Sequence, residues 1–113
     1  MIEVLVTAEF KEWYQLLSDP DAEAVARVVD LLEAKGISLG FPYSSDIKGS
    51  KQLRELRVQS QGKPMRVFYA FDPKRNAVLL IGAVKTDKRF YQRYTPVAEK
   101  MWKEYLKTME DKQ

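Results

Sequence analysis

Three strand-like runs separated by two short polar turns occupy the middle of this chain, and they constrain its fold more than any other feature. The runs are rich in β-branched and aromatic residues and cover 52–59, 65–72 and 77–85. The segments between them, SQGKP and DPKRN, have the length and the residues of hairpin turns. Residues 78–81 are apolar without interruption, which is typical of a strand inside a sheet. The sequence therefore predicts an antiparallel meander with its third strand away from the edge.

Two helical patterns precede the predicted meander. Apolar residues recur every three or four positions in AEFKEWYQLL, directly after Thr7, which we expect to cap this helix. A second amphipathic segment is predicted to begin with Asp19 as its N-cap, followed by a proline, and to end at Gly36. We expect the two helices to form an antiparallel pair whose apolar stripes pack on the sheet.

The remaining segments complete a single α+β domain. IEVLV at the amino terminus has the composition of a short strand, and residues 36–49 contain turn residues without a period, as in a surface loop. A C-terminal helix is predicted to begin with Thr95 as its cap and Pro96 in its first turn, and it carries the longest apolar stripe. A chain of 113 residues can bury one core, so we expect residues 1–113 to form one domain.

Composition excludes several classes of chemistry. The chain has no cysteine and no histidine, which removes disulfides, thiolate nucleophiles and most zinc and iron sites. Its carboxylates do not cluster along the sequence, so we expect neither a metal ion nor another cofactor. The amino terminus lacks a basic segment followed by a long apolar run, which favours a cytoplasmic protein over a secreted or membrane protein.

Charge is distributed unevenly along the chain. Residues 1–46 contain nine acidic and three basic side chains, whereas residues 47–94 contain twelve basic and three acidic ones. The folded protein should therefore have an electropositive region able to attract phosphate groups and a separate acidic region. A lysine-rich surface that is merely solvated would give the same counts.

The first predicted hairpin pairs two arginines. If its turn is centred on the Gln-Gly dipeptide of SQGKP, Arg57 lies directly opposite Arg66 on one face of the sheet, together with Glu55, Gln59 and Phe68. The apolar residues of both strands then fall on the other face, which should meet the helices. Because opposed like charges destabilise a strand pair, either Glu55 bridges the two arginines or an anion belongs between them. An exposed Arg–Glu–Arg cluster without a function fits the pattern equally well.

Several motifs around this hairpin resemble a known family. LRELR, RVFYAFDP, AVLLIGAVK, RFY and PVA follow one another in order, and EVLVTAEFKEWYQLL precedes them. Together they resemble the RelE/ParE superfamily of type II toxins, most closely its phage-derived, HigB-like branch. The resemblance implies a RelE-like α+β fold: two N-terminal helices packed on a twisted antiparallel sheet, a concave basic face opposite them, and a C-terminal helix that can shift. It also implies an antitoxin partner, in this branch usually a helix-turn-helix, HigA-like protein.

The resemblance assigns roles to four residues of this chain. Arg66 matches the family's arginine that contacts the scissile phosphate, and Arg57 corresponds to a strand position occupied by lysine or arginine. Lys85 matches a basic position that supports the transition state. Tyr91 lies near the position of a catalytic tyrosine, although a shift of one residue would substitute Phe90.

Proton transfer is the part of the family's chemistry that this chain supports least. Relatives often have a histidine near the position of Glu104, and this chain has none. The remaining candidates are Tyr91, Lys85 and Glu55, and a tyrosine or lysine base would need its pKa lowered by cations or desolvation. We therefore expect weak cleavage of free RNA and reliance on the ribosome for substrate geometry.

Further side chains of the basic half are candidates for RNA binding. A base could stack on Phe68 because it shares a face with the arginine pair. Basic side chains in the loops and at the start of the first meander strand could contact phosphates without reading sequence. These candidates are Lys48, Lys51, Arg54, Lys88 and Arg89.

The function that these patterns favour is a ribosome-dependent endoribonuclease that cleaves mRNA without a metal ion and inhibits translation. RNA supplies its own nucleophile, the 2′-hydroxyl, so the protein needs only to orient the backbone, stabilise the phosphorane and transfer protons. Two alternatives share the scaffold: a ParE-like poison that binds DNA gyrase, and an inactive toxin that binds only its antitoxin. Codon preference, oligomeric state and the mode of antitoxin binding are left open by the sequence.

Overall fold

A five-stranded sheet with the order β1-β5-β4-β3-β2 forms the centre of the protein. The computed structural model describes residues 1–111. Helices α1 and α2 lie between β1 and β2 in the chain, a 3₁₀ turn follows α2, and α3 follows the sheet. The bounds are β1 Val4–Val6, α1 Ala8–Gln15, α2 Asp19–Lys35, the 3₁₀ turn Gly36–Ser38, β2 Ser44–Asp46, β3 Arg54–Ser60, β4 Lys63–Phe71, β5 Ala77–Val84 and α3 Phe90–Asp111.

The predicted meander is confirmed, but the sheet is mixed rather than purely antiparallel. β3, β4 and β5 pair antiparallel in sequence order, and β5 lies inside the sheet as expected. β1 pairs parallel with β5, its neighbour in the sheet although β2, β3 and β4 lie between the two in the chain. β2, inside the segment predicted to be a loop, pairs with β3. Its three residues, SSD, carry no apolar alternation and so gave no strand signal.

The predicted start of α1 is confirmed, whereas the predicted starts of α2 and α3 are wrong. Thr7 caps α1 as expected, accepting a hydrogen bond from the Phe10 amide at 3.0 Å. The N-cap of α2 is Ser18 rather than Asp19, because Ser18 has the extended backbone of a cap and its hydroxyl accepts from the Asp21 amide. Gly36, with a φ of 56°, ends α2 as predicted.

α3 begins at Phe90, five residues before the predicted cap, and includes Pro96 in its interior. The added turns pack Phe90 and Tyr94 against Phe68 of β4, with ring centroids 5.9 and 6.4 Å away. Burial of these rings offsets the backbone hydrogen bond that proline cannot donate. Among the residues that the structure describes, no helix is long and apolar enough to cross a membrane.

Each face of the sheet has its own hydrophobic core. On one face, side chains of α1 and α2 pack on the residues of β3 and β4 that were predicted to meet the helices, Leu56, Val58, Val67 and Tyr69. On the other face, Phe90, Ala98 and Trp102 of α3 pack on Phe68, Ala70 and Leu80. The face expected to be an open basic surface is therefore partly covered by α3.

One close approach fixes α1 on the sheet. A Cβ atom at Gly82 of β5 would lie 2.4 Å from the Trp13 ring, so only glycine allows the indole to lie against this strand. Two residues of the predicted apolar stripes do not reach a core. Leu16, which follows the end of α1, is 87% exposed, and Val97 of α3 is 44% exposed.

Candidate active site

The two arginines of the hairpin lie opposite each other, as the turn arithmetic predicts. Arg57 pairs with Arg66 in the register of β3 and β4. The turn has positive φ at both Gln61 (51°) and Gly62 (75°), the geometry of a tight two-residue hairpin that fixes this register. Of the two arrangements expected from the sequence, the bridged one is found, because the Glu55 carboxylate lies between the guanidinium groups.

Glu55 accepts contacts from four side chains. Its Oε2 lies 3.2 Å from Arg57 Nη1 and accepts from the Ser45 hydroxyl at 2.8 Å. Its Oε1 lies 3.5 Å from Arg66 Nε and accepts from the Tyr91 hydroxyl at 2.6 Å. Glu55 is only 4% exposed, so one buried carboxylate orders side chains from β2, β3, β4 and α3. With two arginines and one carboxylate, the group keeps a net positive charge.

Arg66 is the more deeply buried of the two arginines. It is 6% exposed, and its Nη1 donates to the Met65 carbonyl at 3.0 Å. Its Nε is close enough to Glu55 for an ion pair but, among the described residues, makes no hydrogen bond. A buried donor without a directed acceptor costs about 1–3 kcal/mol. An anionic oxygen placed in line with this N–H would therefore remove that cost by accepting a hydrogen bond from it.

Lys85 joins the same region from the end of β5. Its backbone amide donates to the Pro64 carbonyl at 2.8 Å, which holds the residue beside the β3–β4 hairpin. Its ammonium nitrogen lies 5.3 Å from the centre of the Tyr91 ring. A groove of about 320 Å³ opens here, lined by Pro64, Arg66, Lys85, Thr86, Asp87 and Lys88.

The environment of Tyr91 favours a protonated phenol. Burial raises its pKa above the usual 10.0, and the hydrogen bond to Glu55 raises it further, while Arg66 acts in the opposite direction with a smaller effect. Cations were expected to lower this pKa if the residue served as a base. Because the carboxylate and desolvation outweigh the cations, the phenol can donate a proton but is poorly suited to accept one.

Four of the cationic candidates outside this cluster, Lys48, Lys51, Lys88 and Arg89, lie in two loops. Lys88 lines the groove and Arg89 is next to it, and both are exposed. Lys48 and Lys51 are exposed in the loop between β2 and β3. Two side-chain hydrogen bonds hold this loop to α3, from Ser50 to Glu99 and from the Trp102 indole to Gln52.

Two of the expected RNA-binding residues do not fit that role in this structure. Phe68 is completely buried under Phe90 and Tyr94, so its ring has no free face for a base. Arg54 lies on the other face of β3, where its Nε donates to the Tyr69 hydroxyl at 3.2 Å and its Nη1 pairs with Asp46 at 2.9 Å. Strand alternation alone separates residue 54 from residue 57.

Two residues beside the cluster were missed by sequence reasoning. Ser45 binds Glu55 from β2, a strand that the sequence did not reveal. Phe41 is 75% exposed, and the Arg57 guanidinium carbon lies 5.2 Å from its ring centre. The available signal for Phe41 was a large aromatic residue inside a polar segment that contains turn residues.

Comparison with known sequences gives one family and two named relatives. The family described as phage derived protein Gp49-like (DUF891) matches residues 12–103. A Mycobacterium tuberculosis protein that carries the name toxin HigB3 is 32% identical over 105 residues, covering 91% of this chain and 92% of the relative. Toxin HigB2 of the same organism is 34% identical over 104 residues, covering 88% of this chain. This chain spans about half the length of HigB2, 52% of it.

Comparison with solved structures supports the same fold. The intact E. coli RelBE toxin-antitoxin complex contains a chain that matches with a TM-score of 0.59 and 11% identity, covering 77% of this protein and 100% of that chain. The archaeal RelE-RelB complex from Pyrococcus horikoshii OT3 matches with a TM-score of 0.55 and 17% identity, covering 74% and 93%. The protein shares its fold with chains of these two complexes and belongs to the phage-derived Gp49-like family, together with relatives that carry the name HigB.

Proposed function

We propose that this protein is the toxin of a type II toxin–antitoxin system and cleaves mRNA on the ribosome. The observation that carries the proposal is a linked set of side chains: Arg57, Arg66 and Tyr91 contact Glu55, and Arg66 lines one groove together with Lys85. A scissile phosphate in this groove would meet cations from neighbouring strands. Arginine suits this task because its planar fork can hold two phosphate oxygens and stays charged.

The reaction needs no nucleophile from the protein. The RNA 2′-oxygen attacks the adjacent phosphorus in line, the bond from phosphorus to the 5′-oxygen breaks, and a 2′,3′-cyclic phosphate and a 5′-hydroxyl result. One proton leaves the 2′-hydroxyl and one reaches the departing 5′-oxygen. The protein's contribution is to position the RNA backbone, stabilise the extra negative charge on the phosphorane and transfer these two protons.

Arg66 and Lys85 would stabilise the phosphorane. Both line the groove, and within residues 1–111 the Arg66 Nε makes no hydrogen bond. A preorganised donor aimed at developing charge contributes about 3–4 kcal/mol to transition-state stabilisation. Arg57 is 29% exposed and could contact the RNA backbone from the other side of Glu55.

Tyr91 would donate the proton to the departing 5′-oxygen. Its raised pKa keeps the phenol protonated at neutral pH, which is the state that a proton donor requires. When phosphate oxygens take over contacts with the arginines, Glu55 would regain free lone pairs and could accept the 2′-hydroxyl proton. Glu55 would also hold Arg57, Arg66 and Tyr91 in place before substrate binds.

The partners follow from this role. The antitoxin would be a HigA-like, helix-turn-helix protein, and mRNA on the ribosome would be the substrate, so the protein would act in the cytoplasm. Two phosphate-binding side chains without a histidine make a modest nuclease, which is why we propose that the ribosome supplies part of the substrate geometry.

Expression without an antitoxin tests the proposal. The wild-type chain should arrest translation and produce transcripts cut within codons on ribosomes, whereas Arg66→Ala should lower cleavage by about 10²–10³-fold because the phosphorane loses a donor. Lys74→Ala, which changes an exposed lysine in the β4–β5 turn, serves as the control and should cut normally.

Three other results would count against the nuclease. Induction of the DNA-damage response without transcript cleavage would support a gyrase poison instead. Unaffected growth would indicate a chain that only binds its antitoxin. Full toxicity of a folded Arg66→Ala variant, with folding checked by circular dichroism, would remove Arg66 from the mechanism.

A further inference from the structure

Two exposed aromatic side chains lie next to the arginine cluster, in the segment between the 3₁₀ turn and β2. Phe41 is 75% exposed and Tyr43 is 45% exposed. The segment is held to β3 by a hydrogen bond of 2.8 Å from the Arg57 amide to the Tyr43 carbonyl. The aromatic rings are therefore tied to the strand that carries Glu55 and Arg57.

Phe41 contacts the cluster through Arg57. The guanidinium carbon lies 5.2 Å from the ring centre, a cation–π distance, and the same guanidinium binds Glu55 at 3.2 Å. Arg57 thus covers part of one face of the Phe41 ring, while Phe41 as a whole remains 75% exposed to solvent. An open aromatic ring beside a phosphate-binding group is the arrangement that proteins use to hold single-stranded RNA.

The surroundings of the two rings are basic. A groove of about 410 Å³ runs beside them and is lined by Arg27, Pro42, Tyr43, Arg57, Gln59 and apolar residues of α2. Within the described residues, both charged side chains that line this groove are arginines. Such a surface is better suited to bind a polyanion than a protein surface that carries both acidic and basic side chains.

We propose that Phe41 is a stacking platform for an RNA base next to the scissile phosphate, with Tyr43 beside it. The proposal rests on the nuclease function proposed above and extends it to a residue that contacts a base. Phe68 cannot fill this role because α3 covers it. Stacking on an aromatic ring accepts every base, so Phe41 would strengthen binding without setting a strict sequence.

Cleavage of mRNA on programmed ribosomes under single-turnover conditions tests the platform. Phe41→Ala should raise the toxin concentration for half-maximal cleavage about tenfold and leave the rate at saturation within about twofold, since base stacking contributes mainly to binding. Phe41→Trp should restore wild-type values. Ile37→Ala, which removes another exposed apolar side chain, 72% exposed, is the matched control.

An mRNA with an abasic nucleotide on one side of the cleavage site separates stacking from indirect effects on Arg57. If Phe41 stacks a base, one of the two abasic substrates should weaken the wild type about tenfold and weaken Phe41→Ala no further. If Phe41→Ala and the abasic change weaken cleavage independently, the residue acts through Arg57 and the proposal is wrong.

Three further results would also overturn it. Phe41→Ala with unchanged cleavage and weaker neutralisation by the antitoxin would assign the ring to a protein contact. A wild-type chain that cuts no transcript would remove the nuclease function, and the platform with it; cleavage by the wild type with no response to any Phe41 variant would remove the platform alone.

Discussion

Two buried carboxylates hold tyrosines of α3, and their surroundings differ in a way that separates structure from chemistry. Asp72, 4% exposed, accepts from the Tyr105 hydroxyl at 2.9 Å and from the amides of Lys74 and Asn76 in its own turn, also at 2.9 Å. Glu55, equally buried, accepts from the Tyr91 and Ser45 hydroxyls but also lies beside two arginines from different strands.

The difference lies in what the donors could do without the carboxylate. The partners of Asp72 are mostly neutral and local, so the group stabilises a turn and anchors the end of α3. Two partners of Glu55 are cations that can bind a different anion, and each lines a groove, Arg57 beside α2 and Arg66 beside Lys85. A buried carboxylate surrounded by more cations than it can neutralise is the better marker of a functional site.

Among the tests of this comparison, the largest effect should come from removing the hydroxyl that binds Glu55. Tyr91→Phe should reduce ribosome-dependent cleavage about a hundredfold, because the departing oxygen loses its proton donor while the ring packing stays. Tyr105→Phe, the equivalent change at Asp72, should leave the cleavage rate within about twofold. Cleavage rates measured at saturating toxin would show this. Equal losses of rate for both variants would mean that Glu55 and Asp72 do not differ in function.

A smaller effect is expected from removing the structural carboxylate. Asp72→Ala should lower the free energy of unfolding by about 2–3 kcal/mol, since the buried turn amides and the Tyr105 hydroxyl lose their acceptor. Urea denaturation would measure it, with exposed Asp30→Ala as the control. Cleavage per folded molecule should not change. A loss of activity without a loss of stability would give Asp72 a role in the reaction.

The smallest expected effect is a change in the free energy of unfolding at alkaline pH. Burial, followed by the hydrogen bond to Asp72, raises the pKa of Tyr105 from 10.0 to about 12. Between pH 10 and 12 the unfolded chain therefore binds fewer protons at this residue than the folded chain, so the free energy of unfolding falls as pH rises.

Comparison of Tyr105→Phe with the wild type isolates this contribution. The variant should lose stability less steeply than the wild type across that window, although it starts from a slightly lower value. Denaturation midpoints at several alkaline pH values would measure both slopes. Parallel slopes would mean that folding does not raise the pKa of Tyr105.

Local rules predicted much of the fold and part of the site. The two-residue turn fixes the register, so Arg57 opposite Arg66 followed from counting, and the bridging role of Glu55 was one of two arrangements that this pairing allowed. The same counting places Arg54 on the opposite face, a signal that was present in the sequence and went unused. Glycine at position 36 and threonine at position 7 ended and capped helices where expected.

Contacts distant in sequence could not be derived in this way. The hydrogen bond between Tyr91 and Glu55 depends on where α3 crosses the sheet, and α3 starts early because Phe90 and Tyr94 bury against Phe68. Tertiary packing thus outweighed the proline signal, and it also removed Phe68 from the surface. β2 was not predicted because its three polar residues pair through their backbone, which leaves no hydropathy pattern in the sequence.

The shared carboxylate has a consequence for how the protein would behave among other polyanions. The Glu55 carboxylate lies between the two arginines, so a stretch of tRNA or chromosomal DNA would have to compete with it for their guanidinium groups. A backbone that also reaches Lys85 would gain one further cationic contact in that competition. In the nuclease proposed above, this competition would weaken binding to other nucleic acids, even though the chain has a basic isoelectric point of about 9.1.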